Sequence, residues 1–90
     1  MKLLLTLNPS KDLIEQIHLA KNIGFDGVEI VLEDLAQKKF FDEKYRKEIL
    51  KIAKENDMIL YFHLPAYLDV RKEKDLDEIK KFLEIIYKEF

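Results

Sequence analysis

The sequence predicts an α/β fold in which three parallel strands alternate with helices in the order βαβαβα. Three short apolar runs have the length of strands, and turn-forming residues follow them. They lie at residues 2–7, 28–33 and 58–63. Apolar residues at helical spacing occupy the segments between and after these runs. Strands separated in this way are joined by right-handed crossovers, so we expect one domain over residues 1–90.

The composition is that of a globular protein and excludes several kinds of function. Apolar residues make up 48% of the 90 residues and charged residues 38%. The absence of cysteine excludes disulfides and thiolate zinc sites. The net charge of −2 leaves no basic surface for nucleic acid, and no apolar run is long enough to span a membrane. We therefore expect a cytoplasmic protein, and its abundant lysine, glutamate and isoleucine resemble the composition of thermophile proteins.

The first strand and helix have clear boundary signals. Asn8 and Pro9 end the first apolar run, and Ser10 is positioned to cap the helix that follows. Gly24 occupies the position where a left-handed residue ends a helix. We predict a helix over residues 11–23.

The segment after the second strand is ambiguous. Residues 34–41 lack a clear apolar period. We expect either a helical turn or a loop here, with the adjacent rings of Phe40 and Phe41 exposed as a surface patch.

Two further helices show regular spacing. Asp42 is the expected N-cap of the second helix, and Asn56 is expected to end it in the role that Gly24 has after the first helix. The third helix is expected to begin at Asp75 or slightly upstream, and its amphipathic stripe continues to Phe90.

Polar residues gather on one face of the predicted sheet, near the carboxyl ends of its strands. Because side chains alternate along a strand, Tyr61 and His63 share one face, and Asn8 and Glu33 match them on the other strands. Ligands of parallel α/β proteins bind beyond the carboxyl ends of the strands, so these four residues are candidates for a site. Glu29 lies deeper on this face and must be paired or protonated if it is buried.

Each candidate also has a purely structural explanation. Asn8 would start a turn, Glu33 would be a solvated strand end, and His63 would hydrogen-bond the following loop. The ring of Tyr61 would belong to the core, with only its hydroxyl requiring a partner. The structural explanation is favoured for each residue alone, whereas their shared face favours a site.

Two motifs resemble the xylose isomerase-like superfamily of TIM barrels, which includes endonuclease IV and many sugar isomerases and epimerases. Asn22–Ile30, with the sequence NIGFDGVEI, resembles the junction between the first helix and the second strand of that superfamily. His63–Tyr67, with the sequence HLPAY, resembles the His-x-Pro-Tyr segment after the third strand in the endonuclease IV branch, with Ala66 as an extra residue. The resemblance covers essentially the whole chain as the first three βα units of a partial TIM barrel.

The resemblance implies a divalent metal, Zn²⁺ or Mn²⁺, at the mouth of the barrel and a sugar or sugar phosphate as substrate. It implies that His63 is a metal ligand, with Asn8, Glu33 and Tyr61 as candidate substrate contacts. A mononuclear zinc site needs three or four ligands, and the others in this superfamily come from later strands. We therefore expect the chain to be inactive by itself.

Three strands cannot close a barrel, so the inner face and both sheet edges are expected to be open. We expect the chain to associate with itself or with a complementary barrel half. Two other functions stay open: a non-catalytic α/β module that binds a partner through the sheet or the Phe40/Phe41 patch, and an endonuclease IV-like phosphodiesterase fragment. The lack of a lysine or arginine patch on the site face disfavours DNA binding by this segment alone.

Overall fold

Three parallel strands and four helices make up the protein, and the computed structural model describes every residue from Met1 to Phe90. The elements are β1 Leu4–Thr6, α1 Leu13–Ile23, β2 Gly27–Val31, α2 Asp34–Phe40, α3 Glu43–Glu55, β3 Ile59–His63 and α4 Glu73–Glu89. The predicted α/β class is confirmed, and the additional helix, α2, lies in the ambiguous segment. None of the helices is long and apolar enough to cross a lipid bilayer.

The sheet has the strand order β1-β2-β3, and both neighbouring pairs are parallel. β2 is therefore the central strand, while β1 and β3 each have one edge without a partner strand. The register places Thr6, Glu29 and Tyr61 side by side across the sheet and Val31 beside His63. Alternate residues of the strands thus form continuous rows on each face.

The two faces of the sheet differ as side-chain alternation predicts. Val28, Ile30 and Leu32 expose at most 1% of their surface. They belong to a core of 13 buried apolar residues to which all four helices contribute. On the opposite face, Tyr61 is 50% exposed and His63 is exposed as well. We call this uncovered side the open face; it carries Leu4, Thr6, Gly27, Glu29, Val31, Ile59, Tyr61 and His63.

Asp12, and not Ser10, caps helix α1. The Asp12 carboxylate accepts a hydrogen bond from the backbone N–H of Ile14, whereas Ser10 donates its hydroxyl to Asp34 Oδ2 at 3.1 Å. A carboxylate at this position also interacts favourably with the helix dipole, which explains why the aspartate is the cap. The end of the helix is as predicted, since Gly24 is left-handed with φ 113°.

Helix α3 begins as predicted and differs by one residue at its end. Asp42 accepts hydrogen bonds from the backbone N–H groups of Lys44 and Tyr45. Asn56 is the C-cap with φ −104°, and the left-handed conformation falls on Asp57, with φ 53°. Aspartate tolerates this conformation better than most residues because its short polar side chain can hydrogen-bond locally.

The expectation that Phe40 and Phe41 form an exposed pair is wrong for Phe40. Phe40 is 4% exposed, whereas Phe41 is 50% exposed. The ring centroid of Phe40 lies 5.8 Å from that of Phe62 and 5.6 Å from that of Phe82. Helix α2 directs Phe40 towards the sheet, so the predicted patch is reduced to the single ring of Phe41.

A largely buried ion pair attaches the last turn of α4 to α3. Arg46 donates from Nε to Glu89 Oε1 at 2.9 Å and from Nη2 to Glu89 Oε2 at 2.8 Å. Its Nη1 donates to the backbone carbonyl of Phe40 at 2.7 Å. Because the Arg46 side chain is only 10% exposed, this bidentate pair and the backbone bond replace most of its hydration.

Replacing Arg46 with alanine is expected to lower the free energy of unfolding by about 2 kcal/mol, because the Glu89 carboxylate and the Phe40 carbonyl both lose their hydrogen-bond donor. Urea unfolding followed by circular dichroism measures the change. The matched control is Lys47→Ala, which removes an ion pair with Glu43 whose two side chains are 72% and 67% exposed, and we expect no measurable loss. Equal losses in the two variants would show that the Arg46 pair does not hold α4 in place.

Candidate site at the carboxyl end of the sheet

The loops that follow the three strands meet at the carboxyl end of the sheet. The backbone N–H of Ala36 donates to the carbonyl of Pro9 at 2.9 Å, which joins the first loop to α2. Glu33 Oε1 accepts from the backbone N–H of Ala66 at 3.0 Å, which joins the second loop to the third. We call these loops, residues 8–12, 32–33 and 64–72, the rim. The loops that carry Asn8 and Glu33 and the loop that follows His63 are therefore linked at this end of the sheet.

His63 is the last residue of β3 and lies on the open face at the rim. Its Nδ1 is 2.8 Å from the carbonyl oxygen of Leu64 and makes the only hydrogen bond of the ring within the chain. A carbonyl oxygen can only accept, so Nδ1 carries a proton, and in the neutral ring Nε2 then has the lone pair. This is the tautomer in which an imidazole binds a metal ion or accepts a proton through Nε2.

Glu33 and Asn8 lie at the rim, where both stabilise loops. Asn8 Oδ1 accepts from the backbone N–H of Ser10 at 3.0 Å, which closes a turn of the kind predicted. The Gln16 side chain accepts from the backbone N–H of Asn8 at 2.7 Å and donates to its carbonyl at 2.9 Å. The structural explanation thus accounts for Asn8. Glu33 is only partly engaged, because Oε1 receives the bond from Ala66 while Oε2 has no partner within the chain.

Tyr61 lies on the open face, so the interpretation of its ring as a core residue is wrong. The helices cover only the other face, and the Tyr61 hydroxyl makes no hydrogen bond within the chain although half of the residue is buried. Glu29, its neighbour in the same row, is partly buried, and its Oε1 accepts the hydroxyl of Thr6 at 3.2 Å. The partner that a buried Glu29 was expected to need is therefore a neutral hydroxyl on β1.

Tyr67 connects two helices through contacts that sequence reasoning missed. Its hydroxyl accepts from Gln37 Nε2 at 2.9 Å and donates to Glu78 Oε1 at 3.2 Å. These bonds join the third loop of the rim to α2 and α4. The HLPAY motif includes Tyr67, but no sequence signal marks Gln37 or Glu78, because their meeting depends on how the two helices pack.

A separate depression of about 470 Å³ lies between α1, α2 and α3, and its polar groups stabilise the helices. The Tyr45 hydroxyl donates to Asp12 Oδ1 at 2.9 Å and accepts from the backbone N–H of Leu13 at 3.1 Å. Burial of the phenol and its hydrogen bond to Asp12 raise the pKa of Tyr45 to about 12. The Lys39 ammonium group lies 5.2 Å from the centre of the same ring. These groups join the starts of α1 and α3, and Asp12 is the one rim residue among them.

The side chains of this chain that could bind a metal ion are dispersed. No three histidine, cysteine, aspartate or glutamate side chains lie close enough together to hold a metal ion. His63 offers one oriented nitrogen, and a zinc site needs three or four ligands. A metal site that includes His63 therefore requires ligands from outside this chain.

Comparisons with protein-family profiles, with curated proteins and with solved structures find no match for this chain. The resemblance to xylose isomerase-like barrels consequently rests on the NIGFDGVEI and HLPAY motifs alone.

Proposed function

We propose that this chain supplies three βα units and one metal ligand, His63, to a divalent-metal-dependent barrel of the sugar isomerase or epimerase type, acting in the cytoplasm. The metal is Zn²⁺ or Mn²⁺ in this proposal, and its other ligands come from outside the chain. The chain alone is inactive because its sheet is open and its ligand set is incomplete.

The observation that carries the proposal is the orientation and the exposure of the His63 imidazole. The 2.8 Å contact of Nδ1 with the Leu64 carbonyl holds the ring at the end of a strand. The ring is exposed on the open face, so its Nε2 lone pair is accessible to a ligand. A metal-binding histidine commonly donates its other ring N–H to a backbone carbonyl, a carboxylate or a water molecule, which fixes the orientation of the ring.

The neighbouring groups suit a polyhydroxylated substrate. Glu33 Oε2 is an acceptor without a partner within the chain, and the Tyr61 hydroxyl is a donor without one. A divalent metal held there with further ligands would polarise a carbonyl oxygen of a sugar or sugar phosphate or activate a water molecule. Asn8 contributes mainly by shaping the first loop, since its side chain is occupied by the turn.

Zn²⁺ titration followed by calorimetry tests the role of His63. We expect weak binding, and we expect His63→Ala to lower the affinity about tenfold or more, because it removes the one oriented ligand of each chain. His18→Ala is the matched control, since His18 is the other histidine and lies exposed on α1. We expect this control to leave the affinity unchanged.

A second measurement locates the ion. Mn²⁺ should broaden the amide NMR signals of residues 61–67 in the wild-type chain and should leave them sharp in His63→Ala. Equal loss of Zn²⁺ affinity in the two histidine variants, or broadening centred on His18, would contradict the proposal.

A non-catalytic interaction module is the second candidate function, and the open face favours it. Leu4 and Tyr61 are 38% and 50% exposed there, and no helix covers them. The endonuclease-like alternative is less supported, because the open face carries no lysine or arginine to contact phosphates.

A further inference from the structure

We infer that a second copy of this chain covers the open face, with the strands of the two copies pointing in the same direction. The inference rests on the proposed function in one respect, since both treat the open face as the interior of a larger parallel assembly. It goes further because it identifies the molecule that covers the open face as a second copy of the chain.

The exposed area of the chain matches the requirement of such a contact. The accessible surface is 6190 Å² for a mass of 10.8 kDa, whereas a monomeric protein of that mass is expected to expose about 5,500 Å². The excess of roughly 650 Å² approaches the area of about 800 Å² that each partner buries in a stable interface. The radius of gyration, 13.3 Å, likewise exceeds the value of about 12 Å expected for this length.

The edges of the sheet offer complementary partners to a second copy. β1 and β3 are both edge strands, and each leaves a row of backbone donors and acceptors without strand partners. When two copies face each other with their strands in the same direction, β3 of one copy lies beside β1 of the other. If the two sheets curve towards each other at their edges, β3 and β1 come within pairing distance as parallel strands, and the same contact buries the open face.

The distribution of polar residues along the strands indicates the direction in which the strands of the second copy run. At the amino end, the row Leu4, Gly27 and Ile59 is apolar. At the carboxyl end, the face carries His63 beside the polar rim. When the strands of the two copies point in the same direction, the apolar rows of the two copies face each other. The two rims then lie at the same end of the assembly, which we call the shared mouth. Packing in the opposite direction would place each His63 over an apolar row, at the cost of its hydration.

The middle row supplies a hydrogen-bond match between copies. The Tyr61 hydroxyl is a donor without a partner in its own chain, and Glu29 Oε2 is an acceptor without one. A second copy can pair the two groups across the contact. The shared mouth then holds the His63 side chains of both copies, which doubles the number of histidine ligands available to the proposed metal.

Sedimentation velocity on the full chain tests whether a second copy covers the open face. We expect a species of twice the chain mass, and we expect Tyr61→Asp to convert it to monomer, because it would bury a second carboxylate beside Glu29 at the contact. Tyr87→Asp is the matched control, since Tyr87 is 83% exposed on α4, outside the open face, and should leave the dimer intact. A wild-type monomer, or equal effects of the two substitutions, would overturn the inference.

Disulfide trapping tests the direction of the strands in the second copy and does not depend on how well Tyr61→Asp folds. The chain has no cysteine, so Leu4→Cys chains can be mixed with Ile59→Cys chains and oxidised. Copies that point in the same direction bring these positions of one row together, and a mixed disulfide dimer should accumulate over either symmetric dimer. Symmetric disulfides alone, or none, would overturn the same-direction arrangement.

The experiments distinguish failure of the proposed dimer from failure of the proposed metal site. A monomer that still binds Zn²⁺ through His63 would reject the second copy and retain the ligand role, whereas a dimer without Zn²⁺ affinity would do the reverse.

Discussion

Replacing Gly27 with alanine is expected to lower the free energy of unfolding by about 3 kcal/mol, at the upper end of the range for overpacking substitutions. A Cβ atom at Gly27 would lie 2.4 Å from the backbone carbonyl oxygen of Ile59 and 2.8 Å from Leu4 Cδ2. The Leu4 side chain can rotate away, but the carbonyl belongs to the neighbouring strand. Relief of the clash therefore requires β2 and β3 to separate where the central strand begins.

Gly24→Ala is the matched control for Gly27→Ala. Gly24 also disfavours a side chain, because its φ is 113°, but no atom lies within 4 Å of the added Cβ. We expect a loss of about 1 kcal/mol from backbone strain alone. Urea unfolding of both variants separates the two causes, and a larger loss at Gly24 than at Gly27 would contradict the assignment of the clash to the strand pair.

Replacing Phe82 with alanine is expected to cost about 3–5 kcal/mol, the range for emptying a buried aromatic position. Phe82 is fully buried in α4, and its ring centroid lies 5.6 Å from that of Phe40 and 5.3 Å from that of Phe41. It is the one residue of α4 that is completely enclosed. Its loss should release the helix from α2 and from the sheet, and thermal unfolding should show a lower and broader transition.

Phe41→Ala is the control within the same aromatic cluster. Phe41 contacts Phe82 but is 50% exposed, so truncation removes less buried surface and leaves no enclosed cavity. We expect about 1 kcal/mol or less. Similar losses in the two variants would mean that α4 is held mainly by the Arg46–Glu89 pair and not by Phe82.

The open face connects stability with the proposed function. Leu4 and Tyr61 are exposed on it, and the chain as a whole exposes more surface than is expected of a monomer of its mass. The same face presents His63 with Nε2 free for a ligand. Assembly and ligand binding are therefore expected to use adjacent parts of one surface, and Tyr61 is proposed to take part in both, whereas His63 is proposed to bind the metal.

Much of the site geometry could be predicted from the sequence because it depends on local alternation. Alternate residues of a strand point to opposite faces, and the apolar set Val28, Ile30 and Leu32 decided which side the helices cover. The location of His63 at the end of β3 and away from the helices followed from the same rule. Its role as a metal ligand stays a prediction.

The sequence by itself determined the alternation of three strands with helices, the parallel sheet and the direction of its two faces, but not the additional helix α2. These features depend on apolar periods and on turn residues that act within a few positions of the chain. The tertiary structure alone decided the burial of Phe40, the exposure of Tyr61 and the pairing of Arg46 with Glu89. Those outcomes join residues distant in sequence through the packing of α2, α3 and α4, and local patterns do not specify which surfaces meet.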